Sequence, residues 1–218
     1  MASRFCVPLG ILRHMLHLRS LCVAGAFAFG AGRASAVAAQ PPAASSSPAA
    51  TAADIRFMQE MLGHHAQALE MTALIASHTR RAALHALAER ITNTQSDEMA
   101  LMHRWLEVHG ATVPETHAMG GHDMSAMPRM SDNSAMPMMP GMLTPSQMAA
   151  LRAAKGAAFD RLFLRGMIQH HTGALTMVAA LNATAGAAQE SAINRFVIDV
   201  DADQRAEIAR MRRLLSVR

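Results

Sequence analysis

Apolar residues recur at helical spacing along most of this chain, in four runs. In the first, Ile55, Met58, Met61, Leu62, Leu69 and Ile75, with alanines between them, share one face of a 3.6-residue period, predicting a helix from about Ala52 to Ser77. Thr51 precedes the run and Asp54 stands three residues on, a capping-box start. The second run, Leu84, Leu87, Ile91, Met99, Met102 and Leu106, predicts a helix from about Arg80 to Val108. A tight turn at His78-Thr79 supplies its cap in Thr79, Trp105 closes one end of the core, and Gly110 terminates the helix. The third opens on Thr144-Pro145-Ser146-Gln147, a cap with proline at the first helical position, and reaches Asn182 with a bend or break near Gly156. Gly166 and Gly173 inside it each cost about 1 kcal/mol relative to alanine, which points to close approach by another helix or a ligand. After a turn at Ala185-Gly186, the fourth runs from about Ala187 to Leu215 with Ile193, Phe196, Val197, Val200, Ile208, Met211 and Leu215 inward.

The first and third runs are copies of each other. MLGHHAQALEM, Met61 to Met71, returns as MIQHHTGALTM, Met167 to Met177, 106 residues later, with Phe57 and Phe163 ahead of each at the same offset. The second and fourth runs match too: Gln95, Glu98, Met99 and Met102 correspond to Gln204, Glu207, Ile208 and Met211 at an offset of 109. The repeating unit is therefore a helical pair, and two pairs predict an all-α, four-helix bundle made of two repeated hairpins joined by a long link.

The ends of the chain change the charge balance. Arg4, Arg13 and Arg19 precede the apolar run Leu21 to Gly30, followed by small residues around Ala36 and Ala38. Residues 1–38 read as a secretory signal peptide, and 39–50, AQPPAASSSPAA, as a disordered linker before a domain at 51–218. The apolar run is short for a membrane span; an uncleaved anchor and a lipid on Cys22 are the alternatives, the second disfavoured by Arg19-Ser20-Leu21 ahead of the cysteine. The presequence holds four of the twenty basic residues and none of the sixteen acids, so the mature chain is formally neutral. With one Trp and no Tyr it has neither the basic surface nor the stacking platform of a nucleic-acid binder. Both cysteines, Cys6 and Cys22, lie in the presequence, so thiol catalysis and cysteine zinc sites are excluded from the mature protein. Any soft-metal site there must use Met sulfur and His nitrogen, a donor set that suits copper, Cu(I) above all.

The link between the pairs, residues 109–143, carries eight Met and three His among four Pro, without any period. Proline recurs too often for a helix, and clustered Met without periodicity is not core. His117, Met119, His122, Met124, Met127, Met130, Met136, Met138, Met139 and Met142 are expected to act collectively as an accessory, disordered metal-binding tether. The plainer alternative is a spacer that only crosses the bundle.

Within each copy the helix sets soft sulfur beside imidazole. Met61 reaches His64 and His65 at three and four residues, and Met71 lies further along the stripe; Met167, His170, His171 and Met177 repeat the arrangement. These eight are the candidate metal ligands, against an alternative of packed Met and hydrogen-bonded His. Gln95, Glu98, Gln204 and Glu207 sit where an inward side chain would orient a ligand His from behind, against an alternative of solvated acids. A carboxylate di-iron bundle wants Glu-x-x-His on two helices, which neither copy provides. There is no GxSxG, HExxH or phosphate loop, so the chain is not expected to be an enzyme.

The doubled pattern resembles a bacterial family called domain of unknown function 305 (DUF305), placed with ferritin-like four-helix bundles. The resemblance rests on Phe57, Met61, His64, His65, Ala68, Met71, Gln95, Glu98, Met99, Met102, Trp105 and Leu106, and on Phe163, Met167, His170, His171, Ala174, Met177, Gln204, Glu207, Ile208 and Met211. The second copy departs with Ile208 in place of Met and Leu214-Leu215 in place of Trp-Leu, which implies a weaker second site at that end. Some relatives are exported copper-binding proteins linked to copper tolerance. The resemblance therefore implies an exported, periplasmic or secreted copper buffer or carrier, with periplasmic copper-handling proteins as partners. A metal-free structural or envelope-stress protein, or a Met-rich interaction module, is the alternative.

Overall fold

The four apolar runs fold as helices, two of them interrupted. The computed structural model describes residues 48–115 and 138–216. Its helices are α1 (Ala52–Ala73), α2 (Ile75–His78), α3 (Ala82–Val108), α4 (Pro145–Ala153), α5 (Gly156–Asn182) and α6 (Ser191–Ser216). Among the described residues no helix is long and apolar enough to cross a membrane. Residues 1–47, where the presequence and most of the linker fall, lie outside the described residues.

The ends of the helices follow the local chemistry. Thr51 and Asp54 form a reciprocal capping box on α1, and Thr144 and Gln147 form one on α4. At the end of α3, Gly110 takes φ +63°, its N–H donates to Glu107 O and the Ala111 N–H reaches back to Leu106 O. That is the glycine-terminated double closure that satisfies a helix's last carbonyls.

Three expected boundaries need correction. The first helix does not run unbroken to Ser77: the Leu74 N–H donates to Met71 O, three residues back, and this tightened turn separates α1 from α2. Thr79 does not cap α3. Its hydroxyl is spent two residues on, accepting from the Arg81 N–H at 3.1 Å, and α3 starts at Ala82 without a side-chain cap. The fourth helix starts at Ser191, not Ala187, because Ala188 is held at φ +55° and Glu190 accepts from the N–H groups of Ala192 and Ile193. The break near Gly156 falls at Ala154-Lys155, both extended, with Gly156 at φ +55° reopening the helix as α5.

α1 packs on α3, α5 on α6, and α1 on α5. α1 and α5 run antiparallel: Asp54 at the start of α1 accepts from the Ala188 N–H beyond the end of α5 at 2.7 Å, and the Met71 methyl lies against Gly166. Trp105 near the end of α3 donates to Glu190 ahead of α6 at 2.9 Å, which ties the outer helices at one end. Two apolar clusters result. One gathers Met61, Trp105, Leu106, Met177 and Phe196; the other gathers Met71, Leu87, Phe159, Phe163 and Met167.

Asp54 is both a cap and a clasp between helical pairs. Replacing it with alanine removes the box and strands the buried Ala188 N–H, so Asp54→Ala should lower unfolding free energy by about 3 kcal/mol. Urea denaturation checks this; a loss near that of Thr51→Ala, about 1 kcal/mol, would show that the clasp contributes little.

Candidate metal centre

His64 and His65 on α1 and His170 and His171 on α5 are all fully buried. A buried imidazole N–H needs an acceptor, and each ring finds one for Nε2. His64 Nε2–H donates to Pro140 O at 3.0 Å and His170 Nε2–H to His64 O at 2.9 Å. His65 Nε2–H donates to Glu98 at 2.6 Å and His171 Nε2–H to Glu207 at 2.5 Å. Carbonyls and carboxylates only accept, so the proton is on Nε2 in every case. The opposite nitrogen, Nδ1, is buried without a hydrogen-bond partner in all four rings. An imidazole whose one N–H is held by a carboxylate or carbonyl, with a lone pair free on the other side, has the form of a metal ligand.

Electrostatics favours the uncharged ring at His64 and His170. Burial, then the neighbouring His65, lowers the pKa of His64 to about 3, against the raising influence of the Pro140 carbonyl. Burial, then His64, His171 and His65, holds His170 well below the usual 6.5. The His64 and His170 rings meet across the α1–α5 contact, centroids 3.8 Å apart and planes tilted by 37°. Such rings offer lone pairs without having to lose a proton first.

Outside the link, the other candidates lie on the same helices as these rings or on α3 and α6. Met61, Met71 and Met167 are fully buried and Met177 nearly so; Met61 and Met177 share one apolar cluster, Met71 and Met167 the other. Gln95 and Gln204 are buried, Gln95 with both amide atoms unpartnered and Gln204 with Oε1 unpartnered. One Glu98 oxygen is likewise unpartnered. Among the described residues no three His, Cys, Asp or Glu side chains gather as a cluster that could hold a metal ion. Among the described residues, then, His, Cys, Asp and Glu side chains do not by themselves assemble a site. In the link, Met138 is exposed and Met139 and Met142 are partly buried. His117, Met119, His122, Met124, Met127, Met130 and Met136 lie outside the described residues.

Residues 138–143, expected only as part of the disordered Met-rich tether, instead form a strap fixed on two helices. Gln67 on α1 donates to Leu143 O at 3.0 Å and accepts from Leu143 N at 2.7 Å. Gln169 on α5 donates to the carbonyls of Gly141 and Met142. The interior glycines of α5 accommodate this strap, and Gly166 accommodates α1 as well: a Cβ on Gly173 would lie 1.9 Å from Pro140 O, and one on Gly166 3.0 Å from Leu143 Cδ2 and 3.3 Å from the Met71 methyl. A signal was available. GHHAQ in the first copy becomes QHHTG in the second, so glycine and glutamine exchange places around the two His pairs.

Helices packed over buried imidazole and amide groups, with Met-containing apolar clusters beside them, make this an all-α domain. The chain belongs to the DUF305 family, domain of unknown function, whose pattern matches residues 54–215. Several solved structures are similar, among them the following three. A DUF305 fragment from Deinococcus radiodurans is 28% identical, with a TM-score of 0.61, covering 77% of this chain and 98% of that one. A DUF305 protein from Streptomyces coelicolor is 26% identical, with a TM-score of 0.60, covering 75% and 92%. CopM in its Cu(II)-bound form is 27% identical, with a TM-score of 0.55, covering 74% and 94%. No curated protein matches the chain.

His64 and His170 set a pH dependence. Between the ordinary value of 6.5 and about 3 the unfolded chain binds more protons at these rings than the folded one. Stability is then whole above 6.5 and drains away as pH falls through that window. The metal-free protein should show a steep drop in urea midpoint between pH 7 and pH 4.5, and a His64→Gln, His170→Gln variant a flatter one. Parallel profiles would refute the assignment.

Proposed function

We propose that this protein is an exported copper-binding protein that buffers copper or passes it on, with Cu(I) preferred. The observation that carries this is the set of four buried Nδ1 atoms, each left without a partner while Nε2 is held. Met61, Met71, Met167 and Met177 stand on the same helices and supply sulfur, and thioether with imidazole is a copper donor set. Glu98 and Glu207 fix His65 and His171 from behind, and Gln95 and Gln204 line the same layer. Likeness to CopM, solved with Cu(II), supports copper as the ion. We take the architecture as a ferritin-like four-helix bundle of two repeated hairpins, α1–α3 and α5–α6, related about the His64–His170 contact. The presequence supports export to the periplasm or beyond, and the Met-rich link serves as a labile accessory site. The role is binding rather than turnover, and its partners are other copper-handling proteins of that compartment.

A second reading is a metal-free helical protein whose Met and His are core. The lack of three converging His, Cys, Asp or Glu side chains among the described residues favours it.

Anaerobic Cu(I) titration against a competing chelator separates the two. The chain from residue 39 should bind tightly, keep an ordered site when residues 116–137 are deleted, and lose it in a His64→Ala, His170→Ala variant. Because thioethers do not titrate, Cu(I) should be held at pH 5.5 better than by a His-only site. No binding by the intact chain would leave the metal-free reading.

A further inference from the structure

The two halves of the His layer are not held alike. His170 donates Nε2–H to His64 O, a backbone carbonyl inside α1, so its orientation is fixed by a helix. The corresponding bond of His64 goes not to α5 but to Pro140 O, in the strap outside any helix. That carbonyl has little choice of position. Gly141 at φ +77° and Gly173 stand back to back: a Cβ on Gly141 would come within 2.6 Å of the Gly173 Cα, and one on Gly173 within 2.4 Å of the Pro140 carbonyl carbon. Gln67 and Gln169 clasp the strap from the two helices.

We propose that the Met138–Leu143 strap is a latch that selects which nitrogen of His64 is free, with Gly173 as the positioning residue that seats it. With the latch seated, Pro140 O takes the Nε2 proton and the lone pair is on the buried Nδ1. Displaced, the ring loses the one acceptor it has among the described residues, and nothing there then fixes which nitrogen carries the proton. The latch acts on His64 alone, because the acceptor for His170 moves only with α1. The binding half of this inference rests on the proposed copper function; the tautomer half does not.

The test uses the chain from residue 39 with 15N-labelled histidine. Metal-free, both His64 and His170 should show a single tautomer protonated on Nε2. In Gly173→Ala, where a Cβ meets backbone, His64 should become a mixture of tautomers while His170 keeps its pattern. Cu(I) affinity should fall about tenfold, the lower end of what losing a ligand's supporting hydrogen bond costs. Gly63→Ala is the control: its Cβ would meet only the flexible Met139 Cε, at 3.4 Å, and should leave both rings unchanged. If Gly173→Ala does not fold, a Gln67→Ala, Gln169→Ala variant loosens the latch without added bulk and should give the same spectrum. His64 keeping its pure tautomer in the variant that folds would overturn the latch, as would His64 and His170 changing together. A selective tautomer change in a chain that binds no copper would uphold the latch and reject the copper function.

Discussion

Four imidazoles sealed from water at the centre of a helical domain impose the constraint on which the other elements depend. Each Nε2–H must meet an acceptor inside the protein, because an unsatisfied buried donor costs about 1–3 kcal/mol. Glu98 brings the acceptor for His65 from α3, Glu207 that for His171 from α6, and α1 itself accepts from His170. The fourth acceptor comes from the strap, which requires the chain to come back across α1 and α5 before α4 can begin. The α5 glycines, unfavourable in a helix interior, then make local sense, since Gly173 and Gly166 lie where the strap's backbone and Leu143 pass. The apolar clusters lie on either side of this layer, so the polar centre sets how the helices meet and the clusters supply the burial energy.

Where helices form was readable from periodicity and caps, because both are local. Thr51 with Asp54, Thr144 with Gln147, and Gly110 each act within four residues of themselves. The misplaced boundaries have distant or competing causes. Thr79 had two local uses and took the turn rather than the cap; Ala187 began an apolar run, but Asp54, 134 residues away in sequence, holds Ala188 outside the helix. At the centre, offsets within the repeat identified the buried Met, His, Gln and Glu positions. They gave no means of seeing Pro140, whose side chain is irrelevant and whose backbone carbonyl matters. A backbone acceptor has no residue type to read. Only its accommodation leaves a trace, here the glycine–glutamine exchange around the His pairs.

The charge of the layer bears on which ion it would favour. Transferring an ion from water into a low-dielectric interior costs free energy in proportion to the square of its charge, so a dication is penalised about four times as heavily as a monovalent ion of the same size. Neutral imidazole nitrogen and thioether sulfur return little of that through charge, and they bind best to the softer ion. Glu98 and Glu207 act in the opposite direction, but from behind His65 and His171 and not as direct ligands, so their charge is felt at a distance. A divalent ion would gain most by drawing such a carboxylate onto itself, which would break the bond that orients its His. Under the function proposed above, Cu(I) would need no such rearrangement. On the proposed copper function, a preference for the monovalent ion would follow from the same burial that keeps His64 and His170 uncharged, and it would weaken wherever water or a carboxylate is admitted to the layer.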